Sequence, residues 1–102
     1  MKILETQLRI GGFDMKQLKR VGNIAIYEAS KRGKITHYET IIIQNHDGYE
    51  IAGHVIPPSE FYPKSEAFGD LAWCLPNINR AEEVFNQLVL YGKKQEKSEE
   101  RL

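Results

Sequence analysis

Alternating apolar and polar positions fill the middle of the chain, and they predict an antiparallel β-meander. β-branched residues flank an Asn-x-Asp-Gly cluster that ends at Gly48, a pattern typical of hairpins, and Gly33 in the stretch KRGK predicts a second turn. The three predicted strands of the meander are residues 23–30, 35–44 and 49–56, and a fourth, largely buried strand is predicted at 69–75.

The parity of the strands predicts which side chains share a face. We expect Ser30 to pair with Lys34 and Gln44 to pair with Tyr49, because each pairing fits its turn length. Both pairings put one apolar set on a common core face: Ile24, Ile26, Tyr38, Ile42, Ile51 and Val55. The opposite face is mixed, so another element is expected to cover part of it: Tyr27, His37, Glu39, Ile41, Ile43, Glu50 and His54.

A helical period follows the predicted fourth strand. It predicts a helix over residues 80–91 that begins with a capping box at Asn79 and Glu82 and ends at Gly92. Its apolar stripe is Ala81, Val84, Phe85 and Leu88.

The same capping-box spacing occurs at Asp14 and Gln17, and it predicts a short helix from Met15 to Arg20. The predicted fold class is therefore α+β. It comprises an antiparallel three- to four-stranded β-meander, one C-terminal helix packed on it, and this short N-terminal helix.

Length and composition indicate one ordinary globular domain. The chain has 102 residues, of which 41% are hydrophobic and 27% charged, which is typical of soluble proteins. We expect a single domain over residues 1–92 and a charged, flexible tail over residues 93–102. The chain start lacks the pattern of a secretory signal, so a cytoplasmic location is expected. Cys74 lies between Trp73 and Leu75 and is predicted to be a small buried hydrophobe.

The net charge is zero, but basic residues concentrate in the first third of the chain. Residues 9–34 contain seven basic and two acidic side chains. One alternative function is therefore a small nucleic-acid-binding module. Its candidate contacts are Arg9, Lys16, Lys19, Arg20, Lys31 and Arg32.

A second alternative is a metal-dependent or small-ligand enzyme. The predicted register places Glu39 opposite His54, with His37 two residues away on the same face. Two imidazoles and a carboxylate are suitable ligands for a divalent metal. The chain has no recognised metal or nucleotide-binding motif, and no cofactor is predicted.

The stretch PPSEFYPKSEAFGDLAW, residues 57–73, combines three prolines with four aromatic residues. Prolines 57 and 58 end the preceding strand, and the aromatic side chains are too apolar for a loop surrounded by water. Two interpretations remain open, a structural cover over the sheet and a docking loop. The candidate binding residues are Glu60, Phe61, Tyr62 and Glu66.

The second half of the chain resembles a family of small uncharacterised accessory proteins of phages and other mobile elements. The resemblance rests on a YPxxExFG pattern followed by an aromatic strand and a helix. The matching residues are Glu60, Tyr62, Pro63, Glu66, Phe68, Gly69, Trp73, Ala81 and Phe85. It implies a compact protein that binds a host component, with no chemistry carried over.

The function predicted from the sequence is non-catalytic binding of a protein partner. Apolar residues in excess of one helix stripe and one sheet face also suggest a homodimer. No membrane partner is expected, because the apolar runs are too short to cross a bilayer.

Overall fold

The computed structural model describes residues 1–100, with side chains through residue 91. The fold is α+β: an antiparallel sheet carries one C-terminal helix. The sheet has five strands, more than the sequence predicted. In their order across the sheet they are β1 (Gln7–Ile10), β2 (Phe13–Val21), β3 (Ile24–Lys31), β4 (Lys34–Ile42) and β9 (Ala72–Leu75).

Four short strands lie between β4 and β9 and form two separate ladders. In the first, β5 (Gln44–His46) pairs with β8 (Ser59–Phe61). In the second, β6 (Tyr49–Ile51) pairs with β7 (His54–Ile56). A single 3-10 turn covers Ser65–Ala67, and helix α1 spans Ile78–Glu100. Within residues 1–100, no helix is long and apolar enough to cross a membrane.

The predicted helix from Met15 to Arg20 is wrong, because these residues belong to strand β2. Gly11 and Gly12 have φ angles of 58° and 86° and form a two-residue turn that pairs β2 with β1. Glycine adopts such angles without steric cost, and the two strands it joins alternate in burial. The hairpin therefore prevails over the local capping-box signal.

The predicted third strand is also wrong. Residues 49–56 fold back on themselves around Ala52 and Gly53, whose φ angles are 49° and 81°. Alanine rarely adopts a positive φ, so the sequence gives no strong sign of a turn at Ala52. The alternating residues 49–56 therefore resemble one continuous strand. Strand β9 takes the place beside β4.

The register between β3 and β4 differs from the predicted one. Lys31 pairs with Lys34 around a two-residue turn, and an irregularity follows between Ala29 and Ser30. Beyond it Ile24 pairs with Ile42. The predicted pairing of Ser30 with Lys34 would place Ile24 opposite Thr40, two residues earlier. A shift of two residues preserves the faces, so the strand faces are predicted correctly despite the wrong register.

Helix α1 covers one face of the sheet. Its apolar stripe is confirmed: Ala81 and Phe85 pack against the buried side chains of Ile24, Ile26 and Leu75. The Thr40 hydroxyl, also buried, donates a hydrogen bond of 2.9 Å to the carbonyl oxygen of Ala81. We call this surface the helix face.

The ends of α1 differ from the prediction. Asn77 caps the helix, since its Oδ1 atom accepts a hydrogen bond of 2.9 Å from the Arg80 amide, and the helix begins at Ile78. The helix continues past Gly92, where it was expected to end. Residues 93–100 of the predicted flexible tail belong to this helix, and residues 101 and 102 lie outside the described residues.

The opposite face, which we call the groove face, is covered without a helix. The N-terminal segment and residues 57–68 lie across it, and they bury a second apolar cluster. Its buried members are Leu4, Met15, Ala25, Tyr27, Ala29, Ile41, Ile43, Tyr62 and Ala72. Ile51 and Val55 were expected in the core but are exposed on the β6–β7 hairpin, Val55 by 77%.

Candidate functional site

A groove of about 800 Å³ opens on the groove face, between the N-terminal segment and residues 59–68. Strand β1 contributes Leu8 and Ile10 to one wall, because alternate residues of a strand point to the same face. The aromatic rings of Phe13, Phe61 and Phe68 also line it. An apolar concavity of this size is typical of a ligand or peptide site.

One carboxylate lies on the floor of this apolar groove. Glu39 accepts a hydrogen bond of 2.6 Å from the Tyr62 hydroxyl at Oε1 and one of 2.8 Å from His37 Nε2 at Oε2. The second imidazole nitrogen, Nδ1, lies 2.9 Å from Thr36 Oγ1. The side chains of Glu39 and His37 are only 12% and 17% exposed. The floor is therefore a fixed hydrogen-bonded chain that holds the carboxylate in place.

Tyr62 links the covering segment to this floor. Its ring packs edge-on against Tyr27, with 5.2 Å between the ring centroids. Burial raises the pKa of the Tyr62 hydroxyl above its usual range, and the hydrogen bond to Glu39 raises it further. Tyr62 is therefore a neutral hydrogen-bond donor at physiological pH.

A second carboxylate holds the N-terminal segment in place. Glu60 forms a two-point ion pair with Arg20, at 2.8 Å and 2.6 Å, and its Oε1 atom also accepts a hydrogen bond from the Leu4 amide. The Arg20 hydrogen bonds, followed by the Leu4 amide, lower the pKa of Glu60 to about 2. A bulge in β2 between Gln17 and Lys19 turns Arg20 towards this face.

The four predicted binding residues have different positions. Tyr62 is 9% exposed, so it belongs to the cover and does not present its ring to a partner. Glu60 is in the ion pair with Arg20. Phe61 is half-buried on the groove wall, and Glu66 is exposed at the rim. Residues 57–69 are thus a structural cover and at the same time one wall of the groove.

Only two of the three predicted metal ligands come together. His37 and Glu39 are hydrogen-bonded, but Glu39 pairs with Cys74 across the sheet, and His54 lies on the separate β6–β7 hairpin. Within the described residues, no group of three His, Cys, Asp or Glu side chains is close enough to hold a metal ion. His54 was predicted opposite Glu39 because residues 49–56 were expected to form one strand beside β4, whereas they form the separate β6–β7 hairpin.

Most of the predicted basic patch is engaged within the protein. Arg9 pairs with Asp14, Lys19 with Glu82 and Arg20 with Glu60. Lys19 also lies 4.6 Å from the centroid of the Phe85 ring, and Lys31 lies 5.4 Å from that of Phe13. These contacts point to several sides of the molecule. The remaining two predicted contacts are Lys16, which lies on β2, and Arg32, which lies in the β3–β4 turn.

Cys74 is exposed, contrary to the prediction of a buried residue. It lies on the edge strand β9, where only one neighbouring strand covers it. Partial burial, and the Glu39 charge to a smaller extent, raise the pKa of its thiol. A raised pKa disfavours the thiolate, which is the nucleophilic form.

An aromatic series extends from the groove onto the β6–β7 hairpin. The ring of His46 lies 5.9 Å from that of Phe61 and 5.1 Å from that of Tyr49. Ile51 follows Tyr49 on the same face of this hairpin and is also exposed. The sequence did not identify this surface, nor Leu8, Ile10 and Phe13, because they become neighbours only through the β1–β2 hairpin.

Comparison with known proteins adds little. No known protein family matches the chain, and no solved structure matches it. A stretch of 66 residues is 36% identical to phenoloxidase 3 of Drosophila melanogaster. This stretch covers 63% of the chain but 9% of that protein. The match is too partial to assign the chain to a family.

Proposed function

We propose that this protein is a non-catalytic binding protein whose groove holds an extended apolar segment of a partner protein. The observation that carries the proposal is the groove itself, which has apolar walls and one fixed carboxylate on its floor. The floor consists of hydrogen-bonding groups in fixed contacts, and the Cys74 thiol, opposite Glu39 on β9, has a raised pKa that disfavours the nucleophilic thiolate. Binding is therefore the chemistry that this site supports best.

The surface beyond the groove favours a protein partner over a small molecule. The aromatic series from Phe61 through His46 to Tyr49 continues the apolar surface onto the exposed hairpin. A small ligand would be enclosed by the groove and would leave this surface uncovered. An extended segment could contact both regions, and exposed apolar patches of this kind often mark protein interfaces.

The resemblance to phage and mobile-element accessory proteins fits this proposal, because it implies a small protein that acts by binding a host protein. Self-association as a homodimer remains a prediction. The partial similarity to phenoloxidase 3 supplies no activity, since the matched stretch is 9% of that enzyme.

Selection from a displayed library of random 12-residue peptides tests the proposal. The full chain is the bait, and enriched peptides are then measured against two variants. Phe68→Ser removes a ring that lines the groove and is 37% exposed, whereas Val21→Ser removes an exposed apolar side chain elsewhere. We expect enriched peptides to bind the Phe68→Ser protein about tenfold or more weakly, since central apolar contacts dominate such interfaces.

The Val21→Ser protein is the matched control and should bind these peptides as the wild type does. Ile3→Ser provides a second groove variant, because this side chain lines the groove yet is 69% exposed and carries little of the core. The proposal is overturned if no peptide is enriched, or if the groove variants and the control bind the enriched peptides equally.

A further inference from the structure

We propose that the bound segment places a lysine side chain in the groove, with its ammonium group on Glu39. This inference rests on the proposed function and specifies the chemistry of the partner. It follows from the charge of the groove floor, from the free acceptor sites of the carboxylate and from the apolar walls above it.

Glu39 and Glu60, two of the carboxylates that line the groove, differ in their counter-ions. Glu60 has a guanidinium partner, Arg20, at 2.6 Å. Glu39 has no lysine or arginine within 4.0 Å among the described residues, and its ion-pair partner His37 is charged only when protonated. A carboxylate that is largely removed from water is stabilised by an opposite charge. Within the described part of the chain, Glu39 therefore has no lysine or arginine counter-ion, and a bound ligand can supply one.

The hydrogen bonds of Glu39 leave acceptor sites open for a further donor. Each oxygen accepts one bond, from Tyr62 at Oε1 and from His37 at Oε2, and a carboxylate has about four lone-pair sites. Arginine binds carboxylates best with two parallel bonds to both oxygens, a geometry with which the two existing donors compete. A lysine ammonium is compact and needs only one open site.

The walls of the groove suit the apolar stem of a lysine. Leu8, Ile10 and Phe13 line the groove together with Glu39, so the four methylene groups can pack on them while the ammonium reaches the carboxylate. Charges at the rim do not replace this contact. Lys2 pairs with Glu5, and the exposed Lys64 and Glu66 bring opposite charges to the rim. Neither lysine lies within 4.0 Å of the Glu39 carboxylate.

Synthetic versions of one enriched peptide test the inference. The library is expected to yield peptides with a lysine flanked by apolar residues. Replacing this lysine with norleucine keeps the stem and removes the charge, and we expect affinity for the wild-type protein to fall about tenfold or more. Arginine at the same position should bind more weakly than lysine, and acetyl-lysine should bind about as weakly as norleucine.

A double-mutant cycle assigns the effect to Glu39. In the Glu39→Gln protein the lysine and norleucine peptides should bind equally, whereas Glu66→Gln, at the exposed rim, should preserve most of the difference. If Glu39→Gln does not fold, as judged by its thermal unfolding curve, the four peptides on the wild-type protein decide the question alone.

Three results would overturn the lysine assignment. They are enriched peptides without lysine, equal affinity of the lysine and norleucine peptides for the wild-type protein, and tighter binding of the arginine peptide. In each case the proposed function stands if Phe68→Ser still weakens binding. If no peptide is enriched, both the lysine assignment and the proposed function are overturned.

Discussion

The two faces of the sheet are closed in different ways. On the helix face, one regular element buries a compact cluster that includes Phe85 and Ile26, and the buried hydroxyl of Thr40 is bonded to the helix backbone. On the groove face, irregular segments close only part of the surface, and polar groups hold them: Glu60 with Arg20, and Tyr62 with Glu39.

The helix face contributes most to stability, and the groove face leaves a surface open for binding. A helix packed through an apolar stripe excludes water along its length, whereas loops held at a few polar points leave space between them. The five-stranded sheet supports both arrangements back to back. We therefore expect the largest change in the free energy of unfolding from the helix face and smaller changes from the polar contacts that hold the groove-face segments. Exposed side chains that line the groove should change mainly affinity.

The largest effect is expected from Phe85→Ala on the helix face. This ring is 3% exposed, and its removal leaves a cavity, so the free energy of unfolding should fall by about 3–5 kcal/mol. Urea denaturation measures the change. A loss below about 1 kcal/mol would mean that the helix contributes little to the core, and the proposed division between the faces would be lost.

The next largest effect is expected at the ion pair that holds the N-terminal segment. Arg20→Ala leaves the Glu60 carboxylate without its main partner, so unfolding should become easier by about 2–3 kcal/mol. Arg9→Ala is the matched control, because its ion pair with Asp14 is exposed and should contribute less than about 1 kcal/mol. Equal effects of the two substitutions would contradict this account.

The same ion pair predicts a pH dependence. The pKa of Glu60 is about 2 in the folded protein, compared with 4.5 for an unperturbed glutamate. The folded protein therefore binds a proton at the Glu60 carboxylate less readily than the unfolded chain does. Its stabilising contribution is complete above pH 4.5 and is lost as the pH falls towards 2, by up to about 1.4 kcal/mol per pH unit. Urea denaturation at a series of pH values should show a shallower slope for Glu60→Gln than for the wild type.

A smaller effect is expected from Tyr62→Phe, which removes the hydrogen bond to Glu39 and keeps the ring. The free energy of unfolding should fall by about 1 kcal/mol. Tyr38→Phe, a half-buried tyrosine of the helix face, should change it by less than about 0.5 kcal/mol. If the two variants had the same stability, the Tyr62 hydroxyl would not help to hold the cover.

Local patterns predicted the helix face well and the groove face poorly. The stripe of α1 and the strand faces of β3 and β4 follow from periods of 3.6 and 2.0 residues, which are visible within one segment. For residues 57–69 the sequence left a structural cover and a docking loop both open, and the structure buries Tyr62 of this segment against the sheet.

The groove could not be predicted because it depends on contacts between distant segments. Gly11 and Gly12 turn β1 back along β2, and the bulge after Gln17 directs Arg20 to Glu60, forty residues away. The Ala52–Gly53 turn removes a strand that appeared continuous, and this allows β9 to pair with β4. Such choices depend on tertiary packing, which overrides local propensity.

Amide chemical-shift mapping on the isotope-labelled protein shows which face of the sheet a bound peptide contacts. An enriched peptide is titrated into the full chain, and shift changes are compared between the two faces. We expect changes at Leu8, Ile10 and Phe61 on the groove, and none at Val84 or Leu88 on the helix face. Changes concentrated on the helix face, with the groove unaffected, would contradict it.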